Sequence, residues 1–101
     1  MPETPKTAFF VSTVTVKDGA KFQEYARRAA ETLAAHGGAL VLRGRLDTVL
    51  AGDADHQAVG IVAFPDADAL AAWYASAAYQ ALIPLRDEAA DMTLTAYSLP
   101  A

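Results

Sequence analysis

The spacing of apolar residues along the chain predicts four strands and two helical regions. The segments rich in β-branched and aromatic residues are 8–16, 39–50, 57–64 and 92–99. Apolar residues at helical spacing predict a first helix over residues 20–36. A second helical region follows Pro65, with Leu70, Trp73 and Tyr74 on its inner face. The predicted order is therefore β-α-β-β-α-β.

Residues with special backbone roles stand where these elements should begin and end. Asp18 and Asp66 can each accept hydrogen bonds from the first turn of a helix, and Ser76 can cap a further turn. Gly37 can take the left-handed conformation that ends a helix. Pro84 predicts a kink or a helix end, and Gly44 is interpreted as a bulge in the second strand.

Right-handed crossovers on this order predict an α+β, ferredoxin-like domain with a four-stranded antiparallel sheet. We expect both helices on one face of the sheet, and strands one and three as its central pair, running parallel. Residues 1–7 are expected to form a flexible arm and residues 8–101 a single domain.

The predicted central strands are apolar on both faces, which two helices on one face cannot cover. Strand one places Phe10 and Val14 on one side and Phe9 and Val11 on the other. A large exposed apolar patch is unusual for a monomer, so a second copy packed sheet to sheet is expected. Such a homodimer is a dimeric α+β barrel. The alternative is a monomer whose second face is only mildly apolar, because it carries threonines such as Thr13.

Several motifs together resemble one known family. They are Phe22-x-x-Tyr25, His36-Gly37-Gly38, Val41-Leu42-Arg43-Gly44, Phe64-Pro65 and the segment from Trp73 to Arg86. These motifs resemble those of the domain-of-unknown-function 1330 family, and the resemblance covers nearly the whole chain. The resemblance implies the ferredoxin-like fold and the dimeric α+β barrel assembly, but it implies no activity. The chain departs from the family pattern at Gly19, at Ala77-Ala78 and at Arg45.

Composition and charge exclude several classes of function. The net charge is −4 with only 8 Lys and Arg residues, so we expect no nucleic-acid partner. Cysteine is absent, which excludes disulfides and thiolate chemistry. The polar, proline-containing start does not fit a signal peptide, and no apolar run is long enough to span a membrane. We expect a soluble, cytoplasmic protein with no membrane partner.

Arg43 is the candidate anion-binding residue, because it lies in a strand otherwise made of Leu and Val. Its guanidinium can hold a carboxylate or enolate by two parallel hydrogen bonds. The alternative is a side chain that extends from the sheet edge or forms a structural ion pair with Asp47, Asp53 or Asp91.

His36 is a candidate for proton transfer, because its reference pKa of ~6.5 lies near neutrality. The alternative is that it only favours the negative end of the helix dipole. His56 lies in an acidic turn with Asp53 and Asp55, but three ligands on a loop tip make a poor metal site. We expect no metal and no cofactor.

Four aromatic residues are candidates for a ligand pocket between helices and sheet: Tyr25, Trp73, Tyr74 and Tyr79. The alternative, which their helical spacing supports, is that they form core or dimer contacts. Arg86, next to Asp87 and Glu88, is interpreted as part of a solvated surface cluster.

Two functions are compatible with these residues. The first is a homodimer that binds a small planar or anionic metabolite in a sheet–helix cleft, through Arg43 and the four aromatic residues. The second, by analogy with enzymes of the same fold, is a cofactor-independent monooxygenase- or isomerase-like enzyme. There Arg43 would stabilise an anion, and His36 or a tyrosine would transfer a proton. The common nucleotide-binding, hydrolase and zinc-protease motifs are absent.

Overall fold

A computed structural model describes residues 5–100 of the chain. The strands are β1 (Ala8–Val16), β2 (Ala39–Arg45), β3 (Ala58–Phe64) and β4 (Ala90–Ser98). The helices are α1 (Gly19–Ala35), α2 (Ala67–Ala75), α3 (Ala77–Gln80) and α4 (Ile83–Ala89). The predicted β-α-β-β-α-β order is confirmed, with the second helical region divided into three short helices.

The four strands form one sheet in the order β2-β3-β1-β4, as expected for a ferredoxin-like domain. All three neighbouring pairs are antiparallel, and Ala8 of β1 faces both Phe64 of β3 and Ser98 of β4. The prediction of a parallel central pair is therefore wrong. The physical reason is the connection between the strands. The crossover through α1 makes β2 parallel to β1, and the loop from β2 to β3 then makes β3 antiparallel to both.

One face of the sheet packs under the helices and forms the core. Phe10, Ser12 and Val14 of β1 are buried there, whereas the residues between them are half-buried. The most deeply buried large side chains are Trp73, Tyr79 and Phe64. This alternation agrees with the predicted division of β1 into two sides.

The opposite side of the sheet, which we call the open face, carries no helix from residues 5–100. By the strand register, its residues are Phe9, Val11, Thr13 and Thr15 of β1, Ala39, Leu42 and Gly44 of β2, Val59, Ile61 and Ala63 of β3, and Asp91, Thr93, Thr95 and Tyr97 of β4. Leu42 is 47% exposed and Tyr97 is 48% exposed. Phe9 and Tyr97 stack on this face with ring centroids 5.3 Å apart.

The predicted caps are confirmed and explain where the helices begin. The side chains of Asp18 and Asp66 accept from the backbone N–H groups of Lys21 and Ala69. Ser76 ends α2 and caps α3 by accepting from the N–H of Tyr79. At the other end of α1, Gly37 has φ +77°, the left-handed conformation predicted for it.

Pro84 marks a break between helices and not a kink within one. It stands in the first turn of α4, where a missing N–H removes no helical hydrogen bond. The chain before it turns through Ala81 and Leu82, and the N–H of Leu82 donates to the carbonyl of Tyr79. This break sets the direction of α4 and therefore the position of Arg86.

The second strand differs from its prediction in two ways. The irregularity lies between Leu40 and Leu42, so Val41 is the bulged residue, whereas Gly44 pairs regularly with Val59. The strand ends at Arg45, and the predicted extension to Leu50 is instead part of the loop to β3. A bulge shifts the alternation of side chains by one residue, and this shift decides where Arg43 lies.

Residues 1–4 of the predicted arm lie outside the described residues, so the arm stays a prediction. Thr7, at its end, donates through its N–H and its hydroxyl to the carbonyl of Pro65. Within residues 5–100, no helix is both long enough and apolar enough to cross a membrane.

Candidate functional site

The centre of the site is an aromatic cluster on the inner side of the second helical region. Trp73 is 2% exposed and stacks on Phe10, with ring centroids 5.1 Å apart. Its ring centroid lies 4.4 Å from that of Tyr79, which is fully buried. Because Ser76 ends α2 and starts α3, the chain returns both rings to the same side. Two of the four predicted pocket residues, Trp73 and Tyr79, therefore lie together.

A chain of hydrogen bonds links this cluster to α1 and α4. The hydroxyls of Tyr25 and Tyr79 lie 2.8 Å apart. Nη1 of Arg86 donates to the hydroxyl of Tyr79 at 3.1 Å and to that of Tyr74 at 3.4 Å. Nε of Arg86 donates to Asp87 at 3.2 Å. Tyrosines from α2 and α3 therefore bond to one guanidinium, and Tyr25 of α1 joins the network through Tyr79.

The prediction that Arg86 belongs to a solvated cluster is wrong. Its side chain is 14% exposed, against 66% for Asp87. Glu88 pairs elsewhere, with Lys21 at 3.5 Å. Sequence reasoning missed Arg86 because the acidic neighbours dominate the local pattern. Helical spacing could not have revealed its position, because the chain breaks between α3 and α4 before Arg86.

The pKa values of two residues in this network, Tyr25 and Arg86, are shifted by their surroundings. Burial, reinforced by the neighbouring Tyr79, raises the pKa of Tyr25 far above its ordinary value. Partial burial alone would lower the pKa of Arg86, but its hydrogen bonds to Tyr74 and Tyr79 outweigh this and raise it. The network therefore holds a neutral Tyr25 phenol and a permanent cation at neutral pH.

Beside this network, a helix–sheet cleft of about 320 Å³ lies between α1 and the inner face of the sheet. The cleft exists because small residues face one another: Ala26, Ala29 and Ala30 on α1, and Gly60 and Ala58 on β3. Its larger apolar lining residues include Phe10, Phe22, Leu33, Leu40, Val62, Trp73, Met92 and Leu94. Polar groups enter it from Tyr25, Ser12 and Arg43.

Arg43 reaches this cleft because of the bulge in β2. The bulge at Val41 puts Leu40 opposite Val62 and Arg43 opposite Gly60, so both face the helices. Without it, Arg43 would lie on the other face. Arg43 is exposed, and within residues 5–100 it forms no ion pair with Asp47, Asp53 or Asp91. The predicted alternative of a structural ion pair is therefore not seen.

The two histidines lie outside this arrangement. His36 caps the C-terminus of α1, with its backbone N–H donating to Leu33, and it does not line the cleft. Nδ1 of His56 lies 3.6 Å from Asp55 in the loop before β3. In the part of the chain that the structure describes, no three His, Asp or Glu residues are grouped as metal ligands.

Of the predicted ligand-binding residues, the structure brings Tyr25, Arg43 and Trp73 to the helix–sheet cleft. Tyr74, at 38% exposure, lies on the other side of Trp73 and lines a different cavity with Arg86. Tyr79 is buried between the two and joins them by its hydrogen bonds.

Comparison with solved structures shows the fold. A protein of unknown function from Rhodopseudomonas palustris has a TM-score of 0.79 at 17% identity, covering 95% of this chain and 84% of that chain. SnoaB, a cofactor-independent oxygenase from Streptomyces nogalater, has a TM-score of 0.69 at 20% identity, covering 96% of each chain. A dabb family protein with a ferredoxin-like fold from Mesorhizobium loti has a TM-score of 0.69 at 13% identity, covering 96% of this chain and all of that chain.

Sequence comparison identifies the family. No curated protein matches the chain. One family profile matches residues 7–98, which is nearly the whole sequence. This agrees with the resemblance carried by the segment from Trp73 to Arg86 and by the shorter motifs of α1 and β2. The chain belongs to the family described as Domain of unknown function (DUF1330).

Proposed function

We propose that the protein binds a small planar or anionic metabolite in the helix–sheet cleft. The observation that carries this proposal is an apolar cavity of about 320 Å³ with a single cationic side chain, Arg43, in its lining. Ligand pockets typically combine apolar walls with a few polar groups that fix orientation. The cleft has this composition, with Ser12 and Tyr25 as its other polar residues.

Arg43 is suited to hold an anionic group at the cleft. A guanidinium binds a carboxylate through two parallel hydrogen bonds and keeps its charge at any working pH. The absence of an ion pair to Arg43 within the described residues leaves this capacity for a ligand. The flat face of the ligand would pack against Trp73 and Phe10.

We expect Arg43→Gln to weaken binding of the ligand by about tenfold or more, the effect of losing a hydrogen bond to a charged group. The ligand is first found by thermal shift with a panel of small aromatic acids and phenols. A ligand at a hundredfold excess over Kd stabilises the protein by about 2.7 kcal/mol. The fluorescence of Trp73, the single tryptophan, then gives the affinity.

The matched control is Arg45→Gln, two residues along the same strand and outside the cleft lining. It makes the same change of charge on the same face of β2 but does not line the cleft, so it should leave the affinity within about twofold. Equal affinities of the Arg43 variant and the wild type, or no stabilising ligand in the panel, would contradict the proposal.

The proposed active form is a homodimer joined through the open face. Four strands at a spacing of about 4.8 Å and seven to nine residues of about 3.4 Å each give a flat area of roughly 500 Å². Two such faces bury roughly 1,000 Å² or more, about the area that a predicted biological interface should exceed. Val11, Ile61 and Leu42 make the centre of this area apolar.

The loop between β2 and β3 adds to this interface in the proposal. Leu46, Val49 and Leu50 are exposed by 41%, 44% and 95%. Three exposed large aliphatic residues in one loop favour contact with a partner, because their burial removes apolar area from water. A second copy of this chain is the partner proposed here.

The second candidate function is a cofactor-independent enzyme, and the buried phenol pair favours it. Tyr25 lines the cleft and stays protonated, so its hydroxyl can donate to a developing anion. Arg43 would stabilise the anion. The fold similarity to a cofactor-independent oxygenase adds only an analogy. His36 lies outside the cleft, so this proposal assigns Tyr25 the role of hydrogen-bond donor to the anion and assigns proton transfer to neither residue.

Tyr25→Phe separates the two functions. If the protein is an enzyme, this change should lower turnover of the bound ligand by about a hundredfold or more while leaving its affinity within about twofold. Turnover is followed by chromatography of the incubated ligand, and Tyr97→Phe on the open face is the control. If the wild type converts none of the ligands that it binds, the enzyme hypothesis is discarded.

Location in the cytoplasm stays a prediction from the sequence.

A further inference from the structure

A second cavity, of about 490 Å³, lies between the helices α2 and α4 and the edge strand β4. Its lining is apolar, from Leu70, Trp73, Met92, Leu94 and Ala96, with Arg86 as the charged residue. It shares Trp73 and parts of the sheet with the helix–sheet cleft, but Arg43 and Tyr25 do not line it. The two cavities therefore lie on either side of Trp73.

The guanidinium of Arg86 is held in place by hydrogen bonds, but not all of its N–H donors have an acceptor among the described residues. Nε is bonded to Asp87, and the two N–H groups of Nη1 point to Tyr79 and Tyr74. Within residues 5–100, Nη2 has no hydrogen-bond partner. Every fully buried side-chain nitrogen or oxygen in the described residues has a hydrogen-bond partner. Because Nη2 has none, it is not fully buried, and solvent can reach it. Two N–H donors are thus available on a side chain that is 14% exposed.

We propose that this second cavity binds a small carboxylate with a planar apolar body. The carboxylate accepts from Nη2 of Arg86, and the body packs on Trp73 and Leu94. Binding is favoured because the guanidinium is already ordered by its three hydrogen bonds, so little side-chain entropy is lost. The opposing charge is Asp87, whose carboxylate pairs with Nε on the exposed side. The proposal does not depend on a ligand in the helix–sheet cleft.

Benzoate is the probe, and benzamide is its uncharged analogue. In protein with labelled alanine and leucine methyl groups, Ala96 and Leu70 report on the second cavity alone, and Ala29 and Leu33 on the cleft alone. We expect benzoate to shift the Ala96 and Leu70 signals and to bind about tenfold or more tightly than benzamide. Shifts confined to Ala29 and Leu33, or no binding at millimolar benzoate, would overturn the proposal and leave the cleft hypothesis to its own test.

Two substitutions test the role of Arg86. Arg86→Gln should weaken benzoate binding about tenfold or more, whereas Arg43→Gln should leave it unchanged. Asp87→Asn keeps an acceptor for Nε but removes the competing charge, so it should tighten binding about two- to fivefold. Because Asp87 is exposed, this variant tests the proposal even if Arg86→Gln fails to fold. Unaltered affinity in the Asp87 variant, or in a folded Arg86 variant, overturns the proposal.

Discussion

If the protein forms the proposed homodimer, Ile61→Glu is expected to convert it into a monomer at micromolar concentration. Ile61 lies at the centre of the open face, paired with Val11 on one side and Leu42 on the other. A carboxylate there would be buried without a partner, a penalty of several kcal/mol. Two-fold symmetry applies the change twice, so the dissociation constant should rise by about a thousandfold or more. Sedimentation velocity at several concentrations measures the change.

The control for this experiment is Gln23→Glu, which adds the same charge on the exposed side of α1. It should remain dimeric. Circular dichroism of the Ile61 variant checks that the monomer is folded, since the inner face of the sheet is untouched. A wild-type chain that is monomeric at micromolar concentration, or an Ile61 variant that stays dimeric, would contradict the open face as the interface. The cleft would be unaffected, because it lies on the other side of the sheet.

The parts of the fold that local chemistry decides were predictable from the sequence. Asp18, Asp66 and Ser76 cap helices because their oxygens lie three residues before an N–H that needs an acceptor. Gly37 ends α1 because glycine adopts positive φ without strain. The grouping of Trp73 with Tyr79 follows from these caps, since they fix which sides of α2 and α3 are buried.

The parts that tertiary pairing decides were not predictable in the same way. The bulge at Val41 is a property of how β2 pairs with β3, and nothing in Ala39–Arg45 requires it at that residue. The inward position of Arg43 depends on this bulge. The sequence made Arg43 a candidate by its residue type and its apolar strand, but only the structure shows that it faces the helices.

Arg86 shows the same limit more strongly. Its neighbours Asp87 and Glu88 are typical of a solvated helix face, and Asp87 is indeed exposed. Arg86 is shielded because Pro84 restarts the helix in a new direction, and because tyrosines from two other helices offer hydroxyls to its guanidinium. Each of these partners is distant in sequence or follows a break, so periodicity could not place them together.

Trp73→Ala is expected to lower the free energy of unfolding by about 3–5 kcal/mol. The side chain is 2% exposed, stacks on Phe10 and packs against Tyr79. Its Nε1 also donates to the hydroxyl of Thr32 at 2.9 Å. Small domains are stable by only about 5–15 kcal/mol, so the loss is a large fraction of the total. Urea unfolding followed by circular dichroism, at fixed protein concentration, measures it.

Trp73→Phe separates packing from hydrogen bonding at this position. It keeps an aromatic ring but removes the indole donor, while Thr32 still donates to the carbonyl of Ala29 at 2.7 Å. The lost indole bond and the missing ring volume should together give a smaller loss, about 1–2 kcal/mol. Tyr74→Ala, on the exposed neighbour, is the control for a nearby aromatic truncation. If Trp73→Ala destabilised the protein no more than Tyr74→Ala, the aromatic cluster would not be the centre of the core. Both cavities would then lack the rigid wall on which ligand packing depends.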